Sequence, residues 1–301
     1  MAQTTPNHTQ TVSGWAAHDP SGKIVPYTFN RRHEIVGIVT KVGNNVTKFT
    51  VGDRAGVGFL AATCLKCEYC KEGQENYCDE VQCVHNGIFW DGSITYGGYS
   101  EFIVVDYRYV IRVPENLPMD AAAPLMCAGI TVYSPLKDNN LLETRGKRVG
   151  VVGLGGLGHV AVKFAKAFDH HVTVISTSPS KEKEAKERLG ADDFILSTNP
   201  QQMLSKKKSL DFILDTVSAQ HSLGPTLELL KVNGALRAVK GSMIGSIEET
   251  QDMMDVCGKH NITCDIEVVS TNKINEAFDR LAKNDVKYRF VIDIAAKSSS
   301  N

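Results

Sequence analysis

The chain has 301 residues, enough for two domains with separate hydrophobic cores, and its composition is ordinary for a globular protein. Its net charge of −1 argues against a protein built to bind a polyanion. Residues 1–10 are polar and lack the apolar core of a signal peptide, and no apolar run is long enough to span a bilayer. We therefore predict a cytoplasmic protein with no nucleic-acid or membrane partner.

The first part of the chain predicts β-structure. Residues 31–39 read as a buried strand in which Val36 and Ile38 share one face, and a second strand lies within 49–59. Residues 94–113 are again predicted to be β-structure, including a strand over 102–109. A helix is predicted over 118–136, where Cys127 has the surroundings of a small core residue.

Four of the eight cysteines crowd into one loop, with the spacing C-x-x-C-x-x-C and a fourth cysteine seven residues later: Cys64, Cys67, Cys70 and Cys78. Four thiolates this close complete a tetrahedral zinc and leave no open position, so we predict a structural zinc. Buried or redox-active cysteines without metal are the alternative. A nucleic-acid-binding zinc finger is disfavoured, because no recognition helix follows and the flanking charges are mixed.

Residues 147–159 join a short apolar strand to a helix through a glycine-rich turn. The glycines fall as G-x-G-x-x-G at Gly153, Gly155 and Gly158. In this motif the first makes the tight turn, the second lets a pyrophosphate approach the backbone, and the third lets helix and strand pack closely. N–H groups at the helix start hold the phosphates. We predict a dinucleotide site here; a turn that only packs is the alternative.

The end of the next strand, Val172 to Ile175, indicates which dinucleotide binds. An acidic residue there would bind the ribose 2′-hydroxyl of NAD, but the chain has Ser176, Thr177 and Ser178. Ser178 is predicted to cap the following helix. Lys181 falls in that helix's first turn, where the helix dipole disfavours a cation unless an anion is bound. Hydroxyls and a lysine suit the 2′-phosphate of NADP, and a solvated lysine is the alternative.

Strands and helices then alternate, which predicts a parallel sheet. Strands are expected over 193–196, 210–215, 235–239, 266–269 and 288–294, and helices over 223–230, 248–257 and 273–283. After Val239 the chain runs almost directly into a helix, so there is little room for another crossover.

These motifs together resemble the cinnamyl alcohol dehydrogenase group of plant zinc-dependent, medium-chain alcohol dehydrogenases. The resemblance is carried by His33-Glu34-Ile35-Val36-Gly37, the cysteine cluster, and residues 96–100, 123–131, 151–159 and 288–293. It implies an α/β protein with a Rossmann doubly wound parallel sheet over 128–265 and a split GroES-like, β-rich catalytic domain over 1–127 and 266–301. It further implies zinc- and NADPH-dependent reduction of aldehydes, such as hydroxycinnamyl aldehydes, to alcohols.

The resemblance also implies site residues. The catalytic zinc of such enzymes is held by two cysteines and a histidine, and alcohol dehydrogenase is the standard case. His33 matches the histidine ligand, Cys127 the second cysteine, and Glu34 the carboxylate beside them. Bound zinc acts as a Lewis acid on the substrate carbonyl. The cofactor site implied by the family comprises Thr131, Gly153, Leu154, Gly155, Gly156, Leu157, Gly158, Ser176, Thr177, Lys181, Thr216, Ser242, Met243 and Ile244.

The chain departs from this family at two places. Between Arg32 and His33 the family has a segment with the first cysteine ligand, the hydroxyl of the proton relay and part of the substrate pocket. Near Val239 it has another strand, a nicotinamide-contacting stretch and part of the subunit interface. Both are absent here. We therefore expect weak or absent catalytic zinc, little alcohol dehydrogenase activity, and a damaged version of the family's homodimer interface.

Two other functions stay open. One is a non-catalytic nucleotide- or partner-binding protein that keeps the structural zinc. The other is a zinc-independent reductase that adds hydride to an activated alkene, which needs no metal-bound carbonyl.

Overall fold

The structure is a computed structural model that describes residues 34–232, 240–283 and 285–294, together with the backbone of 14–17 and 24–27. The predicted ligand His33 and the predicted strand 235–239 lie outside the described residues.

The described elements follow the chain in this order. The strands are β1 Gly14–Ala17, β2 Ile24–Tyr27, β3 Ile35–Ile38, β4 Arg54–Val57, β5 Leu60–Ala62, β6 Gln82–Cys83, β7 His85–Ile88, β8 Ile94–Tyr96, β9 Val110–Arg112, β10 Arg148–Val152, β11 His171–Ser176, β12 Asp193–Leu196, β13 Phe212–Asp215, β14 Ile266–Ser270 and β15 Arg289–Asp293. The α-helices are α1 Glu68–Lys71, α2 Met119–Ala122, α3 Ala128–Asp138, α4 Gly158–Ala167, α5 Pro200–Ser205, α6 Gly224–Leu227, α7 Ile247–His260 and α8 Ile274–Ala282. Single 3₁₀ turns cover Glu75–Tyr77, Tyr107–Tyr109, Ala123–Met126, Pro179–Lys181 and Thr271–Lys273, and a π-helical turn covers Glu184–Arg188.

A parallel sheet lies at the centre of the second half, as predicted. Its described strands pair in the order β12–β11–β10–β13, all parallel. Val149 and Val151 of β10 are fully buried because helices cover both faces of such a sheet. Phe164 of α4 is also fully buried, so α4 packs its apolar face on the strand that precedes the glycine turn.

The strands of the first half form small antiparallel sheets. β4 pairs with both β3 and β9, β5 pairs with β6, and β7 pairs with β8. A separate parallel pair joins β14 to β15 near the end of the chain. The core is continuous between these parts, because Ile111, Leu125 and Tyr133 belong to the same buried cluster as Val149 and Phe164.

Several predicted elements are wrong in detail. Residues 102–106 form no strand among the described residues, and the 3₁₀ turn Tyr107–Tyr109 follows them. Val104 is 92% exposed, so the alternation of apolar residues there does not reflect a buried face. The predicted helix 223–230 is only one turn long, since Leu230 leaves it to form a parallel bridge with Leu210.

The predicted helix 118–136 is interrupted just where a site residue lies. Helix α2 gives way to the 3₁₀ turn Ala123–Met126, and the backbone breaks at Cys127 before α3 begins. Pro124 explains the change, because proline lacks the N–H of an α-helix and its ring crowds the preceding turn. Cys127 thus stands at the start of α3 rather than inside a continuous helix.

The segment after β11 also differs from the prediction. Ser178 precedes the 3₁₀ turn Pro179–Lys181, but its side chain makes no capping hydrogen bond within the described chain. Its own backbone N–H instead donates to Oγ of Ser176 (3.2 Å). Ser178 therefore takes the predicted N-cap position with Pro179 after it, but the expected capping hydrogen bond from its side chain is not formed. No helix among the described residues is long and apolar enough to cross a membrane.

Candidate functional site

The glycine-rich turn has the geometry that its motif predicts. Gly153 has a φ of +86°, which favours glycine. A Cβ on Gly158 would lie 2.0 Å from the carbonyl oxygen of Gly153, so only glycine allows α4 to approach β10 this closely. A Cβ on Gly155 meets no described atom within 4 Å, which leaves the backbone open to a ligand there. These three positions fit a dinucleotide pyrophosphate.

Arg289 of β15 lies over the same turn, although sequence reasoning did not single it out. A Cβ on Gly156 would stand 2.7 Å from Nε of Arg289. That Nε is buried and has no hydrogen-bond partner among the described residues. A cationic donor beside the phosphate-binding turn of a Rossmann sheet is suited to an anion. The available signal was an arginine directly before the apolar run Phe290-Val291-Ile292 of a predicted strand.

The residues predicted to bind the 2′-phosphate lie at the end of β11. Ser176 is buried and Thr177 is exposed. Nζ of Lys181 donates to the carbonyl oxygen of Leu154 (2.6 Å), so this ammonium reaches back to the glycine turn. Leu154 itself is buried, and Leu157 packs partly buried against the core. The structure thus brings Lys181 to the glycine turn, and its contact with a 2′-phosphate stays a prediction.

Cys127, Glu34 and Thr131 form a second group. Burial, together with the nearby Glu34 carboxylate, raises the pKa of the Cys127 thiol to about 11, while Arg289 and the Thr131 hydroxyl act in the opposite direction. Glu34 has a φ of 75°, an uncommon conformation for a non-glycine residue, and its Oε1 lies 3.8 Å from Nη1 of Arg289. Arg289 therefore contacts both the glycine turn and the Glu34–Cys127 pair.

This second group is an incomplete set of metal donors within the described residues. It supplies Cys127 and Glu34, whereas a catalytic zinc takes three protein ligands and an open position. The only group of three or more donors found among the described residues is the four-cysteine cluster. The family's catalytic zinc therefore does not fit on the described residues alone.

The remaining predicted cofactor residues border these two groups. The Thr216 hydroxyl donates to the carbonyl oxygen of Val152 (2.8 Å) and lies beside Gly153. Ser242 and Met243 are exposed, and Ile244 is buried. Ile244 and Met126 line the same small cavity, which places the 242–244 segment near Cys127.

The four-cysteine loop fits a structural zinc. The Sγ atoms of Cys64, Cys67, Cys70 and Cys78 all lie within 4.8 Å of one another. Sγ of Cys64 accepts from the backbone N–H groups of Lys66 (3.5 Å) and Cys67 (3.3 Å), and these bonds lower the pKa of Cys64 to about 6. A thiolate is therefore favoured at Cys64 at neutral pH, whereas burial raises the pKa of Cys70 and Cys78, which would release their protons when zinc binds.

His159 is a second residue that sequence reasoning missed. Its Nε2 accepts from the backbone N–H of Asp265 (3.1 Å), so Nδ1 carries the proton and donates to the carbonyl oxygen of Gly155 (3.0 Å). Its ring stacks on that of Tyr288, with the two ring centroids 4.2 Å apart. Complete burial lowers the pKa of His159 to about 4. This neutral histidine ties the glycine turn to the segments that begin β14 and β15.

Comparison with known proteins finds dehydrogenase domains in both halves of the chain. The profile of the alcohol dehydrogenase GroES-like domain matches residues 3–115, and that of the zinc-binding dehydrogenases matches residues 156–283. A cinnamyl alcohol dehydrogenase of Sorghum bicolor superposes with a TM-score of 0.90 at 43% identity, covering 97% of this chain and 100% of that one. The enzyme of the same name from Helicobacter pylori, solved with NADP(H), gives a TM-score of 0.86 at 33% identity over 95% and 99% of the two chains.

A relative from Oryza sativa subsp. japonica, a probable cinnamyl alcohol dehydrogenase, is 56% identical over 98% of this chain and 99% of its own length. That alignment has 357 positions against the 301 residues of this chain, so at least 56 of them face no residue here. The relative thus carries additional residues within the aligned region. The described residues fit a structural zinc and a dinucleotide, and the chain belongs to the plant cinnamyl alcohol dehydrogenase group of the zinc-dependent, medium-chain alcohol dehydrogenases, an NADP-dependent family of oxidoreductases.

Proposed function

We propose that this chain binds NADPH and reduces aldehydes of the hydroxycinnamyl type to alcohols, at a rate well below that of an intact relative. The observation that supports this site is the position of Arg289, which contacts Gly156 of the glycine turn and lies beside Glu34 and Cys127. The cofactor turn and the remnant metal site are therefore adjacent, as transfer between a nicotinamide and a carbonyl requires.

Each residue has a role in holding the cofactor. Gly155 leaves the backbone open to the pyrophosphate, and Arg289 supplies a positive charge on the other side. Lys181, Ser176 and Thr177 receive the 2′-phosphate, and Ser242, Met243 and Ile244 border the nicotinamide. When bound, NADPH supplies the hydride that converts the carbonyl carbon to an alcohol carbon.

The low rate follows from the donor set. The described residues contribute Cys127 and Glu34, and His33 would make a third ligand. The first cysteine ligand that the family carries before this histidine is missing. The thiol form of Cys127 is favoured at neutral pH, because burial and Glu34 raise its pKa to about 11. Zinc binding must therefore displace a tightly held proton from the remaining cysteine. We expect zinc to bind weakly here.

The test measures binding and turnover separately. NADPH binding is followed by fluorescence titration, and turnover by NADPH oxidation with coniferaldehyde. The intact Sorghum bicolor enzyme is the reference, and the Cys127→Ser variant is the control. We expect saturable NADPH binding together with turnover at least a hundredfold below the reference.

Each other outcome has a definite meaning. Turnover equal to the reference would show that the metal site is functional and would refute the loss of activity. Binding with no turnover at all would favour a non-catalytic nucleotide-binding protein. Turnover of an activated alkene that persists in Cys127→Ser would favour a zinc-independent reductase.

A further inference from the structure

The cysteine loop contacts a segment of the chain that lies far away in sequence. We define the zinc lobe as residues 64–78 and the cofactor segment as residues 242–246. Oε1 of Glu75 accepts from the backbone N–H of Ile247 (2.6 Å), directly after this segment. Nδ2 of Asn76 donates to the carbonyl oxygen of Met243 (3.2 Å). Two successive lobe residues thus hold both ends of a short stretch more than 160 residues later.

The Glu75 contact caps a helix. Helix α7 begins at Ile247, and Ser246 and Glu249 form a capping box that satisfies other N–H groups of its first turn. The N–H of Ile247 has no partner within the helix, and a carboxylate placed at the positive end of the helix dipole satisfies it. Glu75 therefore completes the start of α7 from outside the helix.

The Asn76 contact fixes the irregular segment before α7. Asn76 is only 3% exposed, so its amide is committed to partners within the protein. The cofactor segment contains no helix or strand, and Ile244 has a φ of 45°. A β-branched residue adopts this conformation only where its surroundings enforce it. Ile244 is buried and lines the same small cavity as Met126 and Ile130, which stand before and after Cys127 in the sequence.

Helix α7 cannot easily follow a displaced lobe, because other contacts anchor it. Gln251 exchanges hydrogen bonds with the backbone of Arg112 in β9, and Asn116 donates to the carbonyl oxygen of Gly258. On its other side, Asp252 accepts from the Tyr133 hydroxyl of α3. The helix is held in place, so loss of the lobe contacts would release mainly the segment before it.

We propose that the zinc lobe positions the cofactor segment, with Glu75 and Asn76 as positioning residues, so that their contacts with this segment control NADPH affinity. This rests on the proposed function, in which Ser242, Met243 and Ile244 border the nicotinamide. It gives the zinc lobe a role in cofactor binding in addition to holding the structural zinc.

The test compares Glu75→Ala with Glu75→Gln and with the control Glu72→Ala, which changes an exposed glutamate in the same loop. Zinc content establishes that the lobe is intact in each variant. Hydrogen exchange over 243–250 measures the positioning, and fluorescence titration gives the Kd for NADPH.

We expect Glu75→Ala to lower protection over 243–250 about tenfold, the size of a lost helix cap, and to raise the NADPH Kd at least threefold. Glu75→Gln keeps an acceptor and should be intermediate, while Glu72→Ala should match wild type. Exchange equal to wild type in Glu75→Ala would overturn the positioning. Changed exchange with an unchanged Kd would overturn the link to the cofactor. Failure of wild type to bind NADPH would instead refute the proposed function.

Discussion

Replacing Arg289 by glutamine tests the site most directly, because this residue lies between the two predicted groups. The substitution keeps a polar amide near the position of Nε, shortens the side chain and removes the charge. Nε of Arg289 is buried beside Gly156 without a partner among the described residues, so a phosphate there would gain a charge-assisted hydrogen bond. Such bonds contribute about 1.5–3 kcal/mol. The NADPH Kd should therefore rise roughly 10- to 150-fold.

The same substitution should have little effect on stability. The contact of Arg289 with Glu34 is long, 3.8 Å, and both side chains are partly exposed, at 30% and 21%. Such a pair contributes about 1 kcal/mol or less. Thermal unfolding of Arg289→Gln should thus stay close to wild type while cofactor affinity falls. If Arg289→Gln is as stable as wild type, its weaker NADPH binding can be attributed to the lost contact between Arg289 and the phosphate.

Fluorescence titration at two ionic strengths is the assay, and Arg145→Gln is the matched control. Arg145 is half exposed and lies in the loop before β10, where it donates to the carbonyl oxygens of Leu142 and Thr144. We expect the control to bind NADPH as wild type does. In Arg289→Gln the NADPH Kd should change less with ionic strength than it does in wild type. A change in Kd of less than twofold in Arg289→Gln would refute an anion-binding role for this residue.

Three further predictions concern the zinc, the glycine turn and pH. Elemental analysis of purified, monodisperse protein should give about one zinc per chain, and a value near two would show that the catalytic site fills as well. Gly155→Ala should keep its thermal stability but bind NADPH weakly. Gly158→Ala should unfold at a clearly lower temperature than wild type, because its Cβ would lie 2.0 Å from a backbone oxygen. Equal melting temperatures of the two variants would contradict this prediction. The pKa of His159 is about 4 in the folded protein, below the value of 6.5 for the unfolded chain. The unfolded chain therefore binds the proton first as the pH falls, so the stability contributed by the neutral histidine is complete above pH 6.5 and is lost toward pH 4. Between these values wild type should lose about 3 kcal/mol more stability than His159→Gln, and parallel curves in urea titrations would rule this out.

The features that could be predicted from the sequence are those in which nearby residues decide the outcome. The glycine turn joins β10 to α4 over a few residues, and the spacing alone requires the close approach seen at Gly158. The parallel sheet follows from the alternation of apolar strands and helices. The break at Cys127 follows Pro124 by three residues, and the effect of proline on a helix is known. This signal was available, but the apolar run around it outweighed it.

The features that could not be predicted depend on contacts between distant parts of the chain. Arg289 reaches Gly156 across more than 130 residues, and His159 accepts a hydrogen bond from Asp265 across 106. Residues 102–106 show the opposite error, since their composition favours a strand but no described strand pairs with them. A strand requires a partner as well as a favourable sequence.

The two zinc sites of this family respond differently to loss of chain because they are assembled differently. The four sulfurs of the structural site come from one loop, so any deletion outside residues 64–78 leaves its ligands in place. The catalytic site that the family resemblance implies would collect its ligands from separate segments, with Cys127 at the start of α3 and His33 ahead of β3 in the sequence. We therefore expect a deletion before His33 to remove a ligand without disturbing Cys127. Arg289 pairs with Glu34 without any metal, so this arginine stays beside the glycine turn whether or not zinc binds. We therefore expect cofactor binding to survive in this chain even where catalysis does not.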